Sequence, residues 1–339
     1  MRRFEMTKTR VVGVAMAGFW LVLAAAGPAS ADGLDQFKKS IEPQLPPNTL
    51  VYKSSKALGD DGFELDDVVI TPPPDPGKTD KPQPISVKAI TVEHLDFDAI
   101  SKQQPPLFAK VKFDGITAGS NPGGFNLKQM AGLDSLSADL GVDYKLDGDQ
   151  KTFTLKRLEL NLNGLGKLQT SFVIDGVTAA DATKPDDAMK DASLKTADLT
   201  YDDHSLLAKA LPIAAAMQGM DPKALTAMAI GFLDGARAGQ GPDAQKAIDS
   251  LVAYVEDYQS PKGPLKITLN PPSKVSNADL SNAKSADDMV KLLGIQVSYA
   301  GTRSSAPAAA PAAGATGPGA TDVPAKEDDP DKSLDKKKD

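Results

Sequence analysis

The chain holds two histidines, His94 and His204, and no cysteine. Asp202-Asp203-His204-Ser205 sets the residue types of a hydrolytic triad in a row. Adjacent side chains do not face one another, so the row reads as the acidic start of a helix. A hydrolase would need His204 or His94 beside a buried carboxylate and a hydroxyl in a cleft, and no local spacing supplies that. Two isolated histidines without cysteine do not make a His- or Cys-rich zinc site. The cluster Asp60, Asp61, Glu64, Asp66 and Asp67 lacks the alternating ligands of a calcium loop and reads as a solvated turn. Asp96 and Asp98 are two apart, so on a strand they share one face, where surface exposure is the expectation. In Gly119-Ser120-Asn121-Pro122-Gly123 the serine sits beside the first glycine, which is not a nucleophile elbow. GARAGQG at 235–241 follows a helical pattern rather than a strand, so it breaks two helices and is not a phosphate loop. No catalytic residue, metal site or cofactor is expected.

The elements that would carry any site are more legible. From Leu136 to Val177, apolar residues fall at every second position: Leu136, Ala138, Leu140, Val142, Tyr144 and Leu146. They resume as Phe153, Leu155, Leu158, Leu160, Leu162, then Leu168, Phe172 and Ile174. Period-two alternation means strands with one buried and one wet face. Turn signals near Gly148 and Gly164 divide the stretch into three antiparallel strands. The phase slips at Lys156-Arg157, as a bulge would make it.

Upstream, residues 33–44 predict a short helix with Leu34, Phe37 and Ile41 on one stripe, ended by prolines. Leu50–Ser54, Phe63–Thr71, Ile85–Phe97 and Leu107–Ile116 predict strands, the third with two phase slips. A rigid polar loop fills 72–84, a helical turn is expected over Leu127–Leu133, and residues 179–191 form an exposed excursion before a strand at Ala192–Tyr201. Residues 203–258 then predict three helices, starting at Asp202-Asp203, Asp221-Pro222 and Pro242. Pro212 is expected to kink or split the first. Met217, Met220 and Met228 either fill a core there or tolerate a loosely fitted apolar ligand. A strand at Leu265–Leu269, a capping-box helix from Ser285 to Leu293 and a strand through Ile295, Val297 and Tyr299 close the ordered chain.

Residues 1–31 resemble a secretory leader: Arg2, Arg3, Lys8 and Arg10, an apolar run from Val11 to Ala26, and Ala29-Ser30-Ala31 as cleavage site before Asp32. Without them, 34 basic and 44 acidic residues leave a net charge of −10. An acidic chain with no basic stripe does not suit nucleic acid or anionic membrane surfaces. From Thr302 the composition, Pro/Ala-rich and then charged, is that of a disordered tail.

KGPLKITLNPPSKVSNADL and SADDMVKLLGIQVSYAG, within 262–301, resemble the C-terminal end of uncharacterised periplasmic proteins of alphaproteobacteria. In that group a strand, a P-x-x-P-V turn, a short helix and a closing strand follow a helical block. Here Pro271-Pro272-Ser273-Lys274-Val275 stands at the turn, with Lys274 in place of the second proline. The long alternating strands are distantly similar to YdgA-like and AsmA-like envelope proteins. The resemblance implies a non-enzymatic envelope role with possible lipid contact, and it assigns no residue a role.

The expected fold is therefore α+β: a long, curved, mostly antiparallel sheet with a helical block (203–258) packed on one face. It forms one domain over 32–301, β-rich at 48–201, helical at 203–258 and strand-helix-strand at 263–300. Strands of about 11 residues reach roughly 36 Å, longer than helices of about 16 residues at roughly 24 Å. Apolar sheet surface left over must close on itself, meet an envelope protein partner, or hold a lipid or other hydrophobic ligand. Leu140, Val142, Leu160 and Phe172 are the residues expected on that face. No transmembrane segment is expected once the leader is removed.

Overall fold

A computed structural model of the chain describes residues 32–73, 83–118, 135–178 and 192–304. The expected leader, the helical turn at Leu127–Leu133, the excursion at 179–191, most of the 72–84 loop and the tail from 305 lie outside the described residues.

Eleven strands form one open antiparallel sheet: β1 Leu50–Val51, β2 Ser54–Ala57, β3 Phe63–Ile70, β4 Ile85–Leu95, β5 Phe108–Ala118, β6 Leu136–Asp147, β7 Thr152–Leu162, β8 Gly166–Asp175, β9 Ser193–Asp203, β10 Leu265–Leu269 and β11 Ile295–Ser298. Apart from β1 and β2, which both pair with β3, the strands pair in chain order. Alternation sets the register, because a slip of one residue would turn every apolar side chain into water. Leu265 stands opposite Tyr201, Tyr201 opposite Leu168, Leu168 opposite Leu160 and Leu160 opposite Leu140. The row continues through Phe113 and Ile90 to Leu65. One face is thus apolar from β3 to β10. Register shifts at Val92/His94, Phe113/Ile116, Asp143/Tyr144, Leu155/Leu158 and Val173/Ile174 interrupt the ladder without swapping the faces.

The helices are α1 Gly33–Ser40, α2 Phe97–Ser101, α3 Leu206–Met217, α4 Pro222–Arg237, α5 Pro242–Glu256, α6 Asn277–Asn282 and α7 Ala286–Leu293. At the N-terminal end of the sheet, Phe37 of α1 stacks on Phe63 with ring centroids 4.5 Å apart. Leu65, Val68, Val87, Ile90, Val92 and Phe97 complete that core, with Leu34 and Ile41 against it as the stripe predicts. The helix can lie this close because Gly33 meets Gly62: a Cβ on Gly33 would come 2.3 Å from the Gly62 nitrogen. At the other end, Ala247 and Tyr254 of α5 pack with Leu265 and Val297.

Several elements differ from the sequence reading; the strand expected at Leu50–Ser54 is two short ones, β1 and β2. The strand predicted to reach Phe97 stops at Leu95, because Asp96 caps a short helix instead. Asp96 is therefore buried, not on a wet strand face, and Asp98 lies in α2. Helix α3 continues through Pro212, so the proline does not split it. Helix α6 was not expected, although Ser276 and Asp279 form the capping box that announces it. The Ser285–Asp288 box opens α7 as expected, and Gly294 ends it at φ 58°, a conformation that favours glycine.

Candidate functional site

The middle of the apolar sheet face is the feature that neither core absorbs. Tyr144 of β6, Phe153 of β7 and Phe172 of β8 form an aromatic ladder with successive ring centroids 5.7 Å apart. Beside it stand Leu140 opposite Leu160, and Val142 opposite Leu158. The four residues expected on the face, Leu140, Val142, Leu160 and Phe172, all fall on it, each half-buried. Their counterparts under α1 are nearly dry: Leu65 and Val68 are each 1% exposed. Among the described residues no helix packs extensively on β6, β7 or β8, whose close neighbours are the flanking strands. At about 4.8 Å per strand, the stretch from β6 to β9 is roughly 15 Å wide, and its strands are roughly 35 Å long. On the same face Ala138, Leu146 and Leu155 are buried, at 6–8% exposure, so the surface left between them is partly covered.

The opposite face has no such deficit. Asp139 accepts from the Gly115 amide at 2.8 Å and from the Asn161 side chain at 3.1 Å. Glu159 pairs with Lys167 at 3.2 Å and Asp198 accepts from Thr268 at 3.1 Å.

A polar cluster borders the floor where β9 meets α3 and α5. Tyr201 and Asp203 are two apart on β9 and so lie on the apolar face. Asp203 is 4% exposed and accepts from the Leu206 amide at 2.7 Å and the Leu207 amide at 3.2 Å, capping α3. The Tyr254 ring meets Tyr201 edge-on at 6.3 Å and Tyr299 at 5.2 Å. Tyr299 donates to Asp257 at 3.0 Å. The Tyr201 and Tyr254 hydroxyls are both buried; that of Tyr201 lies against Asp203, and that of Tyr254 has no hydrogen-bond partner among the described residues. Burial first, then the Asp203 charge and a hydrogen bond to it, push the Tyr201 phenol up to about 12, and burial and the same charge push Tyr254 up as well. Sequence reading missed this cluster, since it depends on β9 meeting α5.

The residues that could do chemistry are dispersed. His94 Nδ1 lies 2.9 Å from Asp61, the histidine exposed and the aspartate half-buried, and among the described residues no serine or threonine hydroxyl bonds to either. His204 Nε2 lies 3.4 Å from Asp202, again exposed. The acidic cluster is spent pairwise: Glu64 on Lys56, Asp66 on Ser54 and Asp67 on Lys53. Among the described residues no three His, Asp or Glu side chains converge as metal ligands. Asp96 accepts from the Ala99 and Leu107 amides, each at 3.0 Å, a purely structural use.

The helical block presents a second apolar surface. Met217 of α3 is 79% exposed, and Met228 and Phe232 of α4 are 54% and 77% exposed. The methionines the sequence offered for a core therefore include two that stand in water. Helix α5 carries the contact with the sheet, and α4 packs on α5. No helix among the described residues is long and apolar enough to cross a membrane.

A family model described only as "Uncharacterized protein" matches residues 159–300, from within β7 to just past β11 and less than half of the chain. No curated protein matches it.

Proposed function

We propose that this is a non-catalytic protein of the cell envelope that holds a lipid or other hydrophobic molecule on the apolar face of its sheet. The observation that carries the reading is the half-buried floor of Leu140, Val142, Leu158, Leu160 and Phe172, continuous with a dry core at each end. In this reading the bulges curve the sheet. Helix α1 and the helical block form walls on the same face, and the ligand supplies the cover that the described helices do not. The leader-like residues 1–31 support export to the periplasm, and the resemblance of the 262–301 segment to periplasmic proteins points the same way.

Native mass spectrometry of protein purified from its own compartment, with organic extraction, tests it. A stoichiometric apolar adduct supports the proposal and gives the ligand class. A clean apo mass, with no uptake when lipids are offered, overturns it.

A second reading, an assembly protein acting through protein partners, is favoured by one observation: the exposed Met217, Met228 and Phe232. Replacing Met228 and Phe232 with serine would then abolish capture of an envelope protein while leaving lipid uptake intact.

A further inference from the structure

The floor says what the ligand's chain is, and the tyrosine cluster says what its head is. Tyr201 stands directly opposite Leu168, and the same row continues through Leu160 and Leu140 across the uncovered strands. The floor therefore leads to the Tyr201 hydroxyl, which lies against Asp203, and beyond it to the buried Tyr254 hydroxyl, unpartnered among the described residues. Tyr254 is 5% exposed, so its O–H has been taken out of water with no return bond. A buried donor in that state is unfavourable, and a ligand acceptor in the same place would relieve it.

The chemistry of the cluster is selective. An unspent phenol O–H is a donor, so the head must offer a lone pair; an ammonium offers none. Asp203 is buried two residues from Tyr201 on the same face, Asp202 follows it, and Asp257 lies behind Tyr299. Asp257 is paired with Lys262 at 3.2 Å, so Asp202 and Asp203 are the two carboxylates that oppose a phosphate or carboxylate head. His204 is exposed and beside Asp202, and does not offset them. What remains is an uncharged acceptor, and a hydroxyl can also return a proton to Asp203 or to a phenol oxygen.

Resting on the lipid-binding proposal above, we infer that Tyr201 and Tyr254, beside Asp203, form the head-group subsite of the floor, selecting amphiphiles with an uncharged hydroxyl head. The ligand's chain then lies along Leu168, Leu160 and Leu140.

The test is calorimetric titration of the delipidated leader-free chain with monooleoylglycerol, oleate and oleylamine, which share one hydrocarbon chain. Monooleoylglycerol should bind about 10-fold more tightly than either of the others, the worth of one to two hydrogen bonds. Tyr254→Phe should cut its affinity about 3- to 10-fold, leave oleate binding unchanged, and leave the melting temperature equal or higher, since it deletes an unpaired buried hydroxyl. Tyr201→Phe, at a less buried ring, repeats the test should the first variant fail to fold. Equal affinities for the three probes, or Tyr→Phe changes that move stability but not the monooleoylglycerol affinity, overturn the subsite and leave the floor standing; the hydroxyls then serve a buried water. Failure of all three probes to bind removes the floor reading and the subsite with it.

Discussion

Nη1 of Arg303 donates to Oδ1 of Asp249 at 2.7 Å, tying the chain beyond β11 to the middle of α5. The same guanidinium reaches Asp234 of α4, while Arg237 grips Asp249 through Nε at 2.8 Å and Nη2 at 3.1 Å. Arg303 and Asp234 side chains are each 17% exposed, between a surface pair and a fully buried one. Arg303→Ala should therefore cost about 2 kcal/mol, more than a surface pair and less than a buried one. Arg303→Lys, which cannot bridge two carboxylates in a planar fork, should recover about half. Urea unfolding measures both, and a loss below about 0.5 kcal/mol would show that the clasp is decorative.

The clasp also sets an acid limit. The Arg237 hydrogen bonds, and then Arg303, hold Asp249 below its usual carboxylate range. A carboxylate whose pKa is lower folded than unfolded binds fewer protons in the native state. Its stabilisation is complete above the unfolded value near 3.9 and is lost as pH falls through the folded one. Asp249→Asn should lower stability at pH 7 and flatten its dependence on pH below about 4. Parallel pH-dependence curves for the two proteins would contradict this account.

Asp96 offers a cleaner structural test. Its two oxygens hold the Ala99 amide in α2 and the Leu107 amide before β5. Asp96→Ala removes a cap and orphans a second amide, about 2 kcal/mol together. Asp96→Asn keeps one acceptor oxygen and should recover about half of that. Chemical denaturation decides it, and no loss in Asp96→Asn, which keeps the side-chain volume, beside a full loss in Asp96→Ala would mean that burial volume, not the two acceptors, is what Asp96 provides.

Legibility followed the range of the interactions. Strands β6 to β9 were readable because period-two alternation is local and unbroken, and the slip at Lys156-Arg157 falls at the Leu155/Leu158 register shift. The floor residues came with them, since the faces of a strand follow from its sequence. Helix α2 was hidden because one residue, Asp96, turns an extended run into a capped turn, and a short helix has no periodicity to detect. The tyrosine cluster was illegible for a different reason. Tyr201, Tyr254 and Tyr299 belong to β9, α5 and the end of β11, and each alone looks like an ordinary amphipathic ring.

The contrast between covered and uncovered leucines gives the last prediction. Leu65 lies under α1 at 1% exposure, while Leu160, half-buried, occupies the same row of the sheet where no described helix packs extensively. Truncation of a fully buried leucine leaves a cavity and costs about 2–5 kcal/mol, whereas a half-exposed one loses only part of its transfer energy and leaves no void. Leu65→Ala should cost about 3 kcal/mol and Leu160→Ala about 1 kcal/mol in protein stripped of lipid. Adding a bound amphiphile should raise the cost at Leu160 and leave that at Leu65 unchanged, because only the floor gains a cover from the ligand. Thermal melts of both variants, with and without monooleoylglycerol, separate the cases. If Leu160→Ala already costs as much as Leu65→Ala in the stripped protein, part of the chain itself closes over β6–β8, and the sheet face is core rather than binding surface.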